Sequence, residues 1–291
     1  MFKKIVNHFH YWYFVKPFTW LKIQVYYLKQ PRKIANLSFK SRENEKMDLI
    51  VVSFNNEKVI ELQIARLAKY FKEPYELIII DNSSDEQKSL LIQALCAKNK
   101  VSYLKLPKQS DFKISASHAI GLNWVYRNLI KKRKPKYFGF LDHDVFPIES
   151  VRVKQYLEKQ KFYGLKHYGV NNSNLNIWDE NTPEYWYLWA GFSFFRFDAI
   201  ANNKRIDFMP LHIHNTFFDT GGSNWLSLYS PEDRSKLQFC RWRREQCADG
   251  DIVDVIDDKW VHTMNGSDWR NLKKRPSFIE EVLSEFENKI A

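Results

Sequence analysis

The chain has only nine glycines among its 291 residues, and none falls into G-x-G-x-x-G or G-x-x-x-x-G-K-[ST]. Both motifs hold phosphates on the backbone N–H groups of a glycine-rich turn. Their absence excludes a dinucleotide-binding Rossmann domain and a P-loop, so a bound nucleotide must have its phosphates held by side chains and a metal ion. Cysteine is scarce too. Cys96, Cys240 and Cys247 cannot all pair with one another, and none stands in a Cys-x-x-Cys spacing. That speaks against a zinc module or a disulfide framework and fits a reducing, cytoplasmic compartment. No apolar run approaches the roughly 20 residues of a bilayer span, and no signal-peptide pattern opens the chain. A soluble protein is expected.

Acidic residues are missing before Glu43, whereas Lys and Arg are interspersed with dense aromatics over residues 1–36. Such a segment suits peripheral contact with the inner face of a membrane. A helical arm packed on the main domain, with its lysines facing water, fits the same residues. Pro17 and Pro31 interrupt any single amphipathic helix here.

Hydrophobic residues make up 44% and aromatics 16%, enough for one large or two small domains with a sizeable core. The formal net charge of +11 calls for an anionic partner: a nucleotide diphosphate, an anionic membrane or nucleic acid. Lys131-Lys132-Arg133-Lys134 reads as a solvated helix face. Arg241-Trp242-Arg243-Arg244 could bind phosphates or an anionic acceptor.

From Met47 the pattern is regular. An apolar strand ends in Ser53-Phe54-Asn55-Asn56, and a helix follows over Glu57–Phe71. A second strand, Tyr75–Ile80, ends in Asp81-Asn82-Ser83-Ser84, with a helix over Glu86–Lys98 and a short strand at Val101–Leu106. This βαβαβ alternation predicts an α/β fold with a mixed, mainly parallel sheet and helices on both faces. Ligands in such sheets bind beyond the C-terminal strand ends, where the polar turns gather. A further aromatic strand in KYFGFLDHDVFPI ends abruptly in Asp142-His143-Asp144. Residues two apart on a strand share a face, so the two carboxylates can converge on one hard cation, Mg²⁺ or Mn²⁺, that grips a diphosphate. A polar turn closing the strand fits the same spacing.

These strand ends, together with the helix opening Ser115-Ala116-Ser117-His118-Ala119-Ile120-Gly121, resemble the family 2 (inverting) glycosyltransferases of the GT-A fold over residues 47–271. His118 and Ala119 stand where that family has Arg-Asn. The resemblance implies a nucleotide-diphospho-sugar donor, bound through Ser53, Asn55, Asp81, His118 and Asp142. It implies a divalent cation, Mn²⁺ or Mg²⁺, on Asp142 and Asp144 with His262 assisting. A small-residue segment beside the donor sugar corresponds to Ala190-Gly191, which follows the aromatic platform Tyr185–Trp189.

Phe217-Phe218-Asp219-Thr220-Gly221-Gly222 places a carboxylate between a hydrophobic wall and two glycines. It resembles the family's catalytic base, although Asp219 or Thr220 could equally cap a helix. His212-Ile213-His214 could form a metal pair, and Asp249-Gly250-Asp251 should make a turn. The expected organisation is an arm and linker over 1–46 and a transferase domain over 47–271. Within that domain a nucleotide-sugar half spans 47–148 and an acceptor half, less regular, spans 149–271. An acidic, amphipathic closing helix, with Phe278, Val282, Leu283 and Phe286 on one face, falls in 272–291. The acceptor would be a glycan or a lipid-linked glycan, in glycan or surface polysaccharide synthesis.

Two other functions fit parts of this pattern. A sugar-phosphate nucleotidyltransferase shares the fold, but it carries a glycine-rich basic loop after the first strand, and Ser53–Glu57 has none. A basic nucleic-acid-binding protein would explain the charge and aromatics. Its phosphates would be repelled by the carboxylate rim, so no nucleic-acid partner is expected.

Overall fold

The computed structural model describes residues 16–41, 46–109, 114–171, 185–213, 216–248, 250–263 and 278–290. Helix α1 (Lys16–Leu28) carries Pro17 at the start of its described residues and ends before Pro31. The chain then forms β1 (Lys33–Ala35), which pairs antiparallel with β4 (Ser102–Lys105) and so becomes an edge strand of the central sheet.

Between them come β2 (Met47–Ser53), α2 (Glu57–Tyr70), β3 (Tyr75–Asp81) and α3 (Glu86–Lys98). After β4, helix α4 (Ile114–Val125) runs on through a π turn, Tyr126–Ile130, and a last turn, Lys131–Arg133, into β5 (Tyr137–Asp142). Strands β4, β3, β2 and β5 are mutually parallel. The sheet is completed by the antiparallel strands β9 (Trp186–Arg196) and β7 (Phe162–Tyr168), in the order β1-β4-β3-β2-β5-β9-β7.

Strand alternation divides the core in two. Leu49, Val51, Leu77 and Ile79 face Ile60, Ile64 and Leu67 of α2 and Ile92 of α3. Their neighbours Ile50, Val52, Ile78 and Ile80 face Ile120 and Trp124 of α4 and Tyr26 of α1. Helices therefore cover both faces, as the continuous apolar strands require.

One basic run departs from expectation. Lys131, Lys132 and Lys134 are exposed, but Arg133 is 1% exposed. Its guanidinium holds Asp48 with Nε at 2.6 Å and Nη2 at 2.8 Å, and reaches Glu76 at 2.8 Å. Asp48 and Glu76 lie on the N-terminal halves of β2 and β3, so a cation is needed beneath the sheet, and only the third residue of the run points there.

The second half is more regular than expected. After β6 (Val145–Pro147), a short α5 (Lys154–Leu157), β7 and β8 (Val170–Asn171), the chain forms β9, α6 (Phe197–Ala201), β10 (Leu211–Ile213) and β11 (Thr216–Phe218). Strands β10, β11 and β8 make a small antiparallel sheet. Strands β12 (Trp242–Gln246), β13 (Ile252–Ile256) and β14 (Trp260–His262) join β6 in another. The apolar side of this sheet, Phe146, Val253, Val255 and Val261, is covered by Ile279, Val282, Leu283 and Phe286 of α7 (Phe278–Ile290). The Asp249–Asp251 stretch lies in the β12–β13 connection, where Gly250 has φ 91° and donates to the Cys247 carbonyl; Asp249 is outside the described residues.

Candidate active site

Register brings the polar strand ends level. Ser53 is paired with Asp81 across β2 and β3, and Val52 with Asp142 across β2 and β5. The first two turns are tied together through Asn55, whose φ of 52° is a left-handed conformation that Asn tolerates. Its N–H donates to Ser83 Oγ at 2.9 Å and its Nδ2 to Ser84 Oγ at 3.0 Å, while its Oδ1 accepts from the Asp85 N–H at 3.1 Å.

Asp81 is fully buried, and its carboxylate accepts from the Ser83 N–H at 2.8 Å, from Tyr103 Oη at 2.7 Å and from Ser89 Oγ. It shapes the second turn from beneath. Ser53 Oγ is buried with no hydrogen-bond partner among the described residues. The opening of α4 joins the rim where Asn82 Nδ2 donates to Ser117 Oγ at 2.9 Å.

The acidic turn is clamped from below. Gln63 Nε2, on the inward face of α2, donates to the carbonyls of Asp142 at 2.8 Å and Val145 at 2.9 Å. His143 Nδ1 lies 3.2 Å from the Val52 carbonyl. Asp142 Oδ1 is 3.4 Å from His118 Nε2, so α4 delivers an imidazole to this carboxylate in place of an arginine. Burial raises the Asp142 carboxyl above its ordinary range; His118 opposes the rise and Asp144 adds to it.

Asp144 is 5% exposed and meets His262 from β14, with Oδ1 and Nε2 3.6 Å apart. The pairing is fixed by β6 and β14, which place His262 opposite Val145, and by the Thr263 N–H donating to the Asp144 carbonyl at 3.0 Å. Behind the imidazole, Asp254 Oδ2 lies 3.5 Å from Nδ1. Burial alone would push the His262 imidazole down, but Asp144 and Asp254 outweigh it and hold it above its ordinary value.

The other flank is supplied by β9. Its register with β5 ends at Leu141 opposite Phe192, the residues that adjoin Asp142 and Gly191 in the chain. The Ala190 N–H donates to the Thr220 carbonyl at 3.3 Å, so the turn carrying Asp219 lies against Ala190. Close approach is possible there because Gly221, with φ 98°, has no Cβ to strike the Leu188 carbonyl. Asp219 is half-buried at the end of β11, and its N–H donates to Tyr187 Oη at 3.2 Å. From the last β5–β9 pair, Leu141 and Phe192, the chain thus leads through Gly191 and Ala190 to the turn carrying Asp219.

Gly191 has a second effect. A Cβ at this position would run into the Trp189 indole, which instead lies over His262 with ring centroids 4.7 Å apart and stacks on His167 at 5.8 Å.

Gln63, Asp254 and His167 were not singled out from the sequence, and Trp189 entered only as the end of the aromatic platform. Asp254 is signalled by the alternation of Val253-Asp254-Val255, a carboxylate facing away from an apolar strand side. The arginines Arg241, Arg243 and Arg244 are engaged by Asp258, Glu245 and Asp254 within their own sheet. His212 is exposed with its ring on Phe217, and its suggested partner His214 lies outside the described residues.

Among the described residues, no group of three or more His, Cys, Asp or Glu side chains forms a metal cage by itself. What is assembled is a carboxylate and an imidazole at Asp144 and His262, with Asp142 two residues away on the same turn. Oxygen and nitrogen donors of this kind fit Mn²⁺ or Mg²⁺.

No curated protein matches the chain significantly. Among solved structures, a mannosyltransferase, PcManGT from Pyrobaculum calidifontis in complex with GDP-Man and Mn²⁺, is similar at 11% identity and a TM-score of 0.35. The match covers 69% of this chain and 58% of that one. S. aureus TarS in complex with UDP-GlcNAc gives 18% identity and a TM-score of 0.37, over 56% of this chain and 48% of that one. The mannosyltransferase Ktr4p from S. cerevisiae gives 10% and 0.37, over 62% and 64%. These are distant likenesses, and this chain spans less than two thirds of each neighbour's length. The family model for Glycosyl transferase family 2 matches residues 48–207, more than half of the chain and every strand end of the donor rim. The chain belongs to glycosyl transferase family 2.

Proposed function

We propose that this glycosyltransferase uses a nucleotide-diphospho-sugar and inverts the anomeric centre as it passes the sugar to a hydroxyl of a glycan or lipid-linked glycan. Synthesis of a surface polysaccharide or related glycan is the setting such a reaction serves. The observation that carries this reading is the alignment of Ser53, Asp81 and Asp142 on one rim, continued through Gly191 and Ala190 to Asp219.

The nucleoside end of the donor lies along the first two turns. Ser53 Oγ, buried with no partner among the described residues, offers a hydroxyl to it, and Asn55 holds the two turns at fixed separation. Asp81 acts indirectly, through the Ser83 turn that its carboxylate organises. His118 and Asp142 face the ribose and diphosphate. Asp142, Asp144 and His262 would hold Mn²⁺ or Mg²⁺, which would supply positive charge against that of the departing diphosphate. Ala190 and Gly191 leave room for the sugar ring. Asp219 takes the proton from the acceptor hydroxyl as that oxygen attacks from the face opposite the leaving group, the geometry that inverts the centre.

The test is a thermal-shift screen of nucleotide diphosphates and nucleotide sugars with and without Mn²⁺ or Mg²⁺. The reading expects stabilisation by one nucleotide that needs the metal and disappears in Asp144→Asn. Asp219→Asn should keep that stabilisation but lower turnover by about 10²–10⁴-fold. Near-wild-type transfer by Asp144→Asn would refute the metal assignment, retention at the anomeric carbon would refute inversion, and pyrophosphate release would indicate nucleotidyl transfer instead.

A further inference from the structure

Helix α1 is apolar on two sides, and among the described residues only one of them is packed against the core. Ile23, Tyr26 and Tyr27, spaced i, i+3 and i+4, pack on the core, with Tyr26 2% and Tyr27 6% exposed. At about 100° per residue, Phe18, Leu21, Val25 and Leu28 fall within an arc of about 80° on the opposite side. Phe18, Leu21, Val25 and Leu28 are 59%, 52%, 48% and 80% exposed, and Trp20, which follows Tyr27 round the helix, is 61% exposed. Half of the ten exposed large hydrophobic residues in the described chain thus sit on this one helix. Solvated apolar residues gathered in this way mark an interaction surface.

The charge around the stripe says what covers it. The first 42 residues contain nine Lys and Arg and no Asp or Glu. Lys22 lies against the Phe18 ring at 4.8 Å, placing an ammonium at the edge of the stripe, and Lys29 follows directly after the helix. A second copy of the chain would bring a like-charged segment against this one. The outward residues are mainly aliphatic, which suits hydrocarbon better than stacked bases. At 13 residues the helix is far too short to span a bilayer, and no described helix is long and apolar enough to do so.

We propose that the outer face of α1 docks this enzyme flat on an anionic phospholipid surface. Phe18, Leu21, Val25 and Leu28 enter the headgroup–acyl boundary, while Lys22 and Lys29 meet lipid phosphates. The docked helix is joined to the donor rim. Tyr26 Oη donates to the Pro107 carbonyl at 3.2 Å and accepts from Gln109 Nε2 at 3.3 Å. Gln109 Nε2 also reaches the Ser117 carbonyl at 3.2 Å, and Ser117 Oγ accepts from Asn82 at the second strand end. A lipid-linked acceptor would meet the rim on this side. Docking itself is independent of the donor assignment, so the two stand or fall separately.

The full chain is tested by flotation with vesicles of phosphatidylcholine alone, or of phosphatidylcholine mixed with phosphatidylglycerol. Binding should need the anionic lipid and fall as salt rises. Lys22→Gln with Lys29→Gln should weaken it by about 30-fold, and Phe18→Ser with Leu21→Ser should abolish it. Because these side chains are exposed, melting temperature and nucleotide-dependent stabilisation should be unchanged, which separates lost docking from lost folding. The proposal is overturned if anionic vesicles do not bind, if the variants bind as wild type does, or if the face instead binds single-stranded oligonucleotide. Concentration-dependent dimers that Phe18→Ser with Leu21→Ser dissolves would overturn it too.

Discussion

Asp254 stands directly behind His262, 3.5 Å from Nδ1, while Nε2 on the other side of the ring faces Asp144 at 3.6 Å. A carboxylate in that place fixes the ring's orientation and raises its strength as a ligand. Arg244 Nε, donating to Asp254 at 3.1 Å, holds the carboxylate in turn. Asp254→Asn should weaken Mn²⁺ binding by about 10–100-fold with the fold intact. Titration calorimetry of the metal, with nucleotide diphosphate present, checks this. An unchanged affinity would make Asp254 a partner of Arg244 only.

Gly191 keeps the Trp189 indole over His262. Gly191→Ala puts a methyl group where the indole lies, so the ring must move and His262 loses its cover. We expect altered tryptophan fluorescence and reduced turnover. The melting temperature should fall by less than for an enlarged residue in the closed core, because a side chain rather than backbone is displaced. Fluorescence spectra and activity of the variant, measured together, decide the matter.

Arg133 predicts the largest stability effect. Removing it leaves Asp48 at 3% exposure and the adjoining Glu76 without their shared cation. Arg133→Met should cost about 3–5 kcal/mol, the range for breaking a buried ion pair from one side. The matching changes at Lys131 or Lys132 should be nearly silent. Urea unfolding of the three variants tests the contrast.

His167 gives the protein a pH dependence of known sign. Burial pushes its imidazole from 6.5 down to about 3. Between those values the unfolded chain binds a proton that the native chain does not, so this contribution falls as pH falls from 6.5 towards 3 and is flat above 6.5. The slope is about 1.4 kcal/mol per pH unit inside the window. His167→Phe should flatten that part of the urea-stability profile between pH 4 and pH 6, relative to wild type.

The donor half was readable because each of its strands is a continuous apolar run ending abruptly in small or acidic residues. Ser53, Asp81 and Asp142 could be placed on one rim before any coordinates, since parallel strands align their C-terminal ends. Partners made by distant chain segments were hidden. Gln63 sits among apolar helix positions, and nothing local says that its amide will brace the acidic turn. Arg133 looked like one more surface cation, because the carboxylates it neutralises are on other strands. Conversely, the sheet of β12, β13 and β14 was under-read: its strands are short, and charged residues on one side obscure the Val and Ile side that α7 covers.

The edge position of β1 bears on where the protein can be cut. The motif pattern starts at Met47, yet Lys33–Ala35 supplies the hydrogen-bonding partner of β4. A chain trimmed to begin at Met47 would lose α1 and leave the outer backbone groups of β4 unpaired, a ready template for intermolecular pairing. Truncation there should yield protein that self-associates, whereas the arm kept through its strand closes that side of the sheet.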